Sequence, residues 1–348
     1  MQVFSHLPLS PLFFKHWDQD DTEIGIVLAK ARFSRAEDGV WLRAEPAPPL
    51  EFEDRFADDP AFGVLLGEQD IAPGKIGTDL TLAATARAPG GQALADWPVS
   101  ITVPGRLHYG FQVRGPSVWQ PGADRLWRRS PPQPVTEVPL TYALAFGGRA
   151  PGPEGQEQVH GLNPAGLGLV TPERLALGQP IPVPQIGTLA EFMVSDPLAQ
   201  MTVQGFGPIA KAWLPRRAQA GSFDESWLRE RHPRMPQDYS LRFWNIAPGP
   251  LQLDPPLRGD EEITVTGISA RAEPVALRLP GAGCALELAG EAEAGMGGAR
   301  LAMTLDTVAL DLRDADPRGH SATLIWRARI PAPHRFATAE VVANPLEG

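Results

Sequence analysis

Proline and glycine constrain this chain more than any other feature, with 38 Pro and 35 Gly among 348 residues. Proline makes up roughly 11% of the chain, about twice the usual ~5%. Inside a helix, proline removes a backbone hydrogen bond and clashes with the preceding turn, while glycine costs conformational entropy. Long helices are therefore excluded, and the expectation is many short strands joined by turns and ordered loops. The length admits one large or two modest domains. A hydrophobic content of 43% and a charged content of 21% are those of a folded chain.

The net charge of −10 repels a polyphosphate backbone, which argues against a nucleic-acid partner. The basic residues are 27 Arg and 4 Lys, which suit local bidentate contacts with anions. Cys284 is the single cysteine, so there is no intrachain disulfide and no thiolate cluster. The opening "MQVFSHLPLSPLFF" lacks a basic leader and is interrupted by Pro8 and Pro11, unlike a signal peptide. No apolar run approaches ~18 residues, so no membrane span is expected. The expectation is a soluble protein of a reducing compartment, placed in the cytoplasm.

Alternation locates the strands. Residues 22–33 alternate around Ile24, Ile26 and Leu28. "VSITV" and "LHYGFQV", joined by "PGR", predict a hairpin over 99–113, and "VPLTYALAF" (138–146) alternates up to Gly147-Gly148. From 261 onward come "EITVTGI", "PVALRLP", "CALELA", "RLAMTLDTVALDL" and "ATLIWRARI", which read together as an antiparallel meander. In the fourth of these, Leu301, Met303 and Leu305 share one parity and Val308, Leu310 and Leu312 the other, predicting a bulge or tight turn near Asp306. In the last, Leu324, Trp326, Ala328 and Ile330 share a face, with Arg327 and Arg329 opposite. The fold class expected is mainly β: antiparallel sandwich or barrel-like sheets with a long Pro/Gly-rich loop region and a few short helices. Residues 1–348 read as a single family domain, with a β region at 1–146, a loop-rich middle at 147–260 and a β meander at 261–331.

Two short helices are legible in the middle region. "TPERLALG" has Thr171 as cap, Pro172 in the first turn and Gly178 as terminator. "SFDESWLRERHP" places Ser222 and Glu225 at capping-box spacing and must end before Pro233.

The search for chemistry finds little that is specific. "GFGPIA" matches the dinucleotide pattern at Gly205, Gly207 and Ala210, but Pro208 removes an N–H and Pro215 breaks any following helix. There is no G-x-S-x-G nucleophile turn, and Ser195-Asp196 reads as a turn ahead of Pro197. The seven histidines are scattered, with no H-E-x-x-H. "HWDQDD" offers Asp18, Asp20 and Asp21 to a hard cation, or is a solvated acidic turn without the rest of a calcium loop. Asp224 and Asp238 form either an acid–base pair or a helix-start carboxylate and a turn residue. Nine tryptophans serve either as sugar-stacking or interface aromatics, or as pins holding loops, with Trp119, Trp213, Trp227 and Trp244 fitting the second role. No cofactor and no metal ligand set is expected.

The order of the loop motifs carries more information than any one of them. "DIAPGKIGTDL" (70–80), "PLTYALAFGG" (139–148), "NPAGLG" (163–168) and "GFGPIAKAWLPRR" (205–217) follow in turn. They are succeeded by "GSFDESWLRERHPRMPQDYSLRFWNIAP" (221–248), "LRGDEEITVTG" (257–267) and "LDTVALDLRDADPRGHSATLIWRARIP". This series resembles the family called domain of unknown function 2169, over about residues 20–331. The resemblance implies an accessory protein of the bacterial type VI secretion system. Such a protein is a non-enzymatic adaptor or chaperone that binds an effector, or its PAAR or spike-binding region, and helps load it onto the VgrG spike. It brings no catalytic residues. Trp213, Arg216, Arg217 and Trp227 are the candidate partner contacts, since Trp and Arg are the usual interface anchors. Alternatively, Arg216 and Arg217 pair with Asp224 or Glu225 inside the fold. The other functional readings are a carbohydrate-binding β protein and a cell-wall-acting hydrolase.

Overall fold

The computed structural model describes residues 1–290, 298–331 and 333–346. It is 40% strand and 12% helix, in several open sheets with no closed barrel. The largest sheet has eight strands. Along its main path run Glu137–Pro139, Thr78–Arg87, Thr304–Leu312, Ser321–Pro331, Glu23–Arg35 and Ser10–Trp17, with Gln252–Leu253 and Trp41–Arg43 as side branches. A five-stranded sheet runs Ile186–Gly187, Leu107–Arg114, Asp96–Val103, Glu262–Thr266, Val275–Arg278. A four-stranded sheet runs Gln2–Phe4, Phe336–Ala343, Cys284–Gly290, Ala299–Ala302. One hydrophobic cluster connects all three, through Val27, Leu82 and Leu324, then Ile101, Val113 and Ile263, then Leu286 and Val341.

The hairpin read at 99–113 is present, as Asp96–Val103 paired antiparallel with Leu107–Arg114. The parity change near Asp306 is a bulge, since Leu305 pairs with Trp326 but Thr307 with Ile325. Two expectations are corrected. "VPLTYALAF" is not one strand: it leaves the sheet after Pro139, makes a 3-10 turn over Tyr142–Leu144 and re-pairs at Phe146–Gly147. The last bond to Thr78–Arg87 runs from Leu140 N to the Ala84 carbonyl at 3.0 Å, after which the Tyr142 ring is drawn into the core. Nor do residues 261–331 form one meander. Their strands divide among the five-, four- and eight-stranded sheets, and Thr304–Leu312 pairs parallel with the distant Thr78–Arg87.

The Glu23–Arg35 strand is buried from Ile24 to Ala31 on both faces. Loop 70–76 covers the face that carries Lys30, Arg327 and Arg329. Lys30 Nζ donates to Asp70 at 2.9 Å, and Arg327 donates to the carbonyls of Ala72 at 2.8 Å and Asp70 at 3.3 Å. The bulge supplies Asp306, which accepts from Arg327 Nε at 2.5 Å. Lys30, Asp70, Asp306 and Arg327 are nine-tenths buried or more, which is tolerable only because each has a partner. Exposed edges are also managed. The outer strand Val275–Arg278 is blocked by Arg35, donating to the Ala276 carbonyl at 3.0 Å, and by the Trp41 indole, donating to the Arg278 carbonyl at 2.6 Å.

Candidate functional site

The loop-rich middle is held to the sheets by polar locks, and most residues of the locks belong to the ordered motifs. The first lock centres on Asp79 of "KIGTDL", whose carboxylate is fully buried. It accepts from Ile246 N at 2.8 Å, Ala247 N at 3.2 Å, Asn245 Nδ2 at 3.1 Å and Lys75 Nζ at 2.9 Å. Lys75 also reaches Thr307 Oγ1 at 2.9 Å, and Thr307 donates to Asp306 at 2.8 Å. A continuous chain of buried polar groups thus ties "DIAPGKIGTDL", "FWNIAP" and the terminal strands together.

The second lock is Asn163 of "NPAGLG", also fully buried. Its amide donates to the carbonyls of Tyr142 at 2.9 Å and Phe146 at 3.0 Å. The chain passes so closely that a Cβ at Gly147 would lie 2.2 Å from the Asn163 carbonyl oxygen, with φ at +144°. Only glycine meets both conditions.

The third lock is "GFGPIAKAWLPRR" itself. The Phe206 carbonyl accepts from Leu82 N at 3.0 Å, and a Cβ at Gly205 would meet the Tyr142 ring at 2.6 Å. Trp213 stands edge-on to Tyr142 at 5.4 Å and is 1% exposed. Arg216 is 3% exposed and donates to the carbonyls of Phe243 and Ile209 and to Glu68, each at 2.8 Å. Lys211 reaches the same Glu68 at 2.9 Å and Asp54 at 3.1 Å. Two of the segment's three basic groups, Lys211 and Arg216, are thus turned inward onto carboxylates and carbonyls, while Arg217 faces outward.

The predicted contact residues therefore separate. Trp213 and Arg216 are buried and offer a partner no face, and Arg216 pairs with Glu68 rather than with Asp224 or Glu225. Arg217 is exposed, and Trp227 is half-buried. Trp227 lies on the helix Glu225–Glu230, and its indole donates to the Arg234 carbonyl at 2.8 Å. The cap of that helix is also corrected. Asp224, not Ser222, accepts from Trp227 N at 2.8 Å, because Ser222 N and Oγ are taken by Asp238 at 2.9 and 2.8 Å. Those hydrogen bonds from Ser222 hold the Asp238 carboxyl below the usual range. Both candidate acid–base carboxylates thus serve as local staples. In contrast, the first helix is as read, with Thr171 accepting from Arg174 N and Gly178 at φ +64°.

The acidic turn is solvated, as read, with Asp20 exposed, and it is also cross-linked. Asp18 pairs with Arg329, and Asp21 with Arg231 at 3.2 Å and Arg234 at 2.9 Å. The Arg234 guanidinium sits over the Trp17 ring at 4.7 Å. Among the described residues no group of three or more His, Cys, Asp or Glu is placed to hold a metal ion. Of the tryptophans, Trp97, Trp119, Trp213 and Trp326 are buried, while Trp17 is 46% exposed. The rings form no exposed row for sugar stacking. A cleft beside Trp119, Arg129 and Glu191 has about 30 Å³, room for about one water.

The locked loops display large apolar side chains outward among their charged ones. Ten of the seventeen large hydrophobic side chains that stand exposed among the described residues lie between Val159 and Leu228. Met193 (74%) and Leu228 (61%) are among the most exposed, and Phe223 is 53% exposed. Phe223 is packed edge-on against Trp227 at 4.8 Å, which makes a small apolar knob on the helix at 225–230. Sequence reasoning missed Glu68, Asp79, Asn163, Lys211 and Asn245. A lone Lys30 inside an apolar strand demands a buried counter-charge, but that signal leads to Asp70 and to none of these five.

The described residues contain no helix long and apolar enough to cross a membrane. A family model, described as an uncharacterized protein conserved in bacteria (DUF2169), matches residues 20–327. No curated protein and no solved structure matches the chain.

Proposed function

The chain belongs to this family of uncharacterized bacterial proteins, and from that premise we propose that it is a non-enzymatic cytoplasmic adaptor. It would bind a type VI secretion effector, or that effector's PAAR or spike-binding region, and help load it onto the VgrG spike. The observation that carries the reading is the concentration of exposed apolar side chains on loops 159–228, above a base of buried polar locks. Exposed apolar surface, where it is contiguous as at Phe223 and Trp227, marks interaction sites. Loops already fixed by Asp79, Asn163 and Arg216 lose little further entropy on binding, so more of the contact energy appears as affinity. Phe223, Trp227, Leu228 and Arg217 are the contacts this reading favours.

The test is copurification from cells producing a candidate type VI secretion effector. The wild type should retain the effector, and Phe223→Asp with Leu228→Asp should lose it while the melting temperature is unchanged. An effector that stays soluble and is loaded with this protein deleted would sink the reading.

A further inference from the structure

Between two buried anchors the chain makes an excursion that buries nothing. Arg216 and Pro236 are buried, yet no residue from Arg217 to Met235 is. The two ends of the excursion are drawn together in a neck. Ser240 N donates to the Gln219 carbonyl at 2.9 Å, and Ser222 N and Oγ donate to Asp238 at 2.9 and 2.8 Å. Beyond the neck the segment packs on itself. The Trp227 ring stands edge-on to Phe223 at 4.8 Å and to His232 at 5.3 Å, and its indole donates to the Arg234 carbonyl at 2.8 Å. It is a small body with contacts of its own.

Charge fastens this body to the sheets. Among the described residues, the ion pairs that reach it from outside end on Asp21 of the acidic turn, from Arg231 at 3.2 Å and Arg234 at 2.9 Å. Arg231 also donates to the Gln19 carbonyl at 3.4 Å, and the Arg234 guanidinium covers the Trp17 ring at 4.7 Å. The turn itself is anchored, through Asp18 to Arg329 and through Gln19 Nε2 to the Tyr239 carbonyl. The side chains of Asp21, Arg234 and Arg231 are 39%, 37% and 17% exposed, unlike the sealed charges at Asp79 and Arg327. Exposed ion pairs are individually weak, and salt screens them. A segment with no buried apolar side chain and only such fastening opens far more easily than the core.

We propose that residues 223–235 form a hinged arm that docks on the acidic turn and releases from it as one body. Asp21 is the clasp, and the neck at 219–222 and 238–240 is the pivot. The apolar knob at Phe223, Trp227 and Leu228 travels with the arm, so the clasp sets where the knob points. Release also uncovers the Trp17 ring. The inference concerns the chain alone and stands whether or not the knob meets an effector.

The test measures the arm's position in the full-length protein. Nitroxide labels go on Glu230→Cys in the arm and Leu42→Cys on the eight-stranded sheet, since the native Cys284 is buried. Double electron–electron resonance should give one narrow distance at about 50 mM NaCl. At about 1 M NaCl, where the screening length falls to about 3 Å, a second distance should be at least fivefold more populated. Asp21→Lys should show that second distance already at low salt, and trypsin should cut it at Arg231 and Arg234 at least tenfold faster than the wild type. Adding Arg231→Glu and Arg234→Glu to Asp21→Lys reverses every charge of the clasp and should restore the narrow distance. The salt series needs no charge variant, so it decides the matter if Asp21→Lys fails to fold. One narrow distance at both salt concentrations and in Asp21→Lys shows a rigidly docked loop and overturns the arm. A distribution equally broad at both salt concentrations shows that Asp21 is no clasp and overturns the proposal as well.

Discussion

Replacing Asp79 by alanine removes four hydrogen-bond acceptances at once, from Ile246 N, Ala247 N, Asn245 Nδ2 and Lys75 Nζ. The carboxylate has no exposure, and the Lys75 side chain has 6%. Breaking a buried ion pair from one side costs about 3–5 kcal/mol, because the remaining charge stays out of water. Each buried N–H left unpaired costs roughly 1–3 kcal/mol more, although the effects overlap. A loss of about 5 kcal/mol or more follows, comparable with the entire stability of a marginal domain (~5–15 kcal/mol). Asp79→Ala should accumulate insoluble. Asp79→Asn retains one acceptor oxygen and should lose about 3 kcal/mol in urea unfolding followed by tryptophan fluorescence. Hydrogen exchange at the amides of 246–247 should accelerate in step, because their acceptor is weakened. Adding Lys75→Met removes the orphaned charge, so the double variant should lose at least about 1 kcal/mol less than the sum of the singles. If Asp79→Asn costs under 1 kcal/mol and leaves exchange at 246–247 unchanged, Asp79 is not what holds the loops.

Three further outcomes are expected. Gly147→Ala combines a φ of +144° with a 2.2 Å clash against the Asn163 carbonyl and should strongly lower the melting temperature. Gly178→Ala, at φ +64° with nothing within 4 Å of the added Cβ, should cost only about 1–2 kcal/mol, and equal losses would refute the close-approach argument. Burial holds the imidazoles of His16, His160 and His320 below 6.5, with Arg329 adding to the effect at His16. Below pH 6.5 the unfolded chain therefore binds protons that the folded chain refuses, so stability is greatest above 6.5 and falls as pH drops toward the folded values. Thermal melts from pH 7.5 to 5 should show this, with His320→Gln reducing the slope, and a flat profile would contradict it. Cys284, 1% exposed and with its thiol pushed up to about 12, should react with a disulfide reagent at pH 8 only in denaturant. Rapid modification of the native protein would show otherwise.

What the sequence by itself determined is local. Alternation located the hairpin at 99–113, and the parity change near Asp306 disclosed a bulge, because side-chain direction in a strand depends only on position along it. Proline and glycine spacing excluded long helices, and Thr171 with Gly178 bounded a short one. Tertiary structure decided which strands pair and which faces are covered. Thr304–Leu312 lies parallel to a strand more than 200 residues earlier, and no periodicity encodes that choice. Arg327 stands opposite the apolar face of its strand, and only the tertiary structure shows that loop 70–76 closes over it and Asp306 neutralises it. Trp213 and Arg216 have the composition of interface anchors but became part of the core, since Glu68, Tyr142 and Phe243 converge on them from distant segments. A side chain's type limits what it is able to bind, whereas its burial, set by long-range packing, decides whether a partner reaches it.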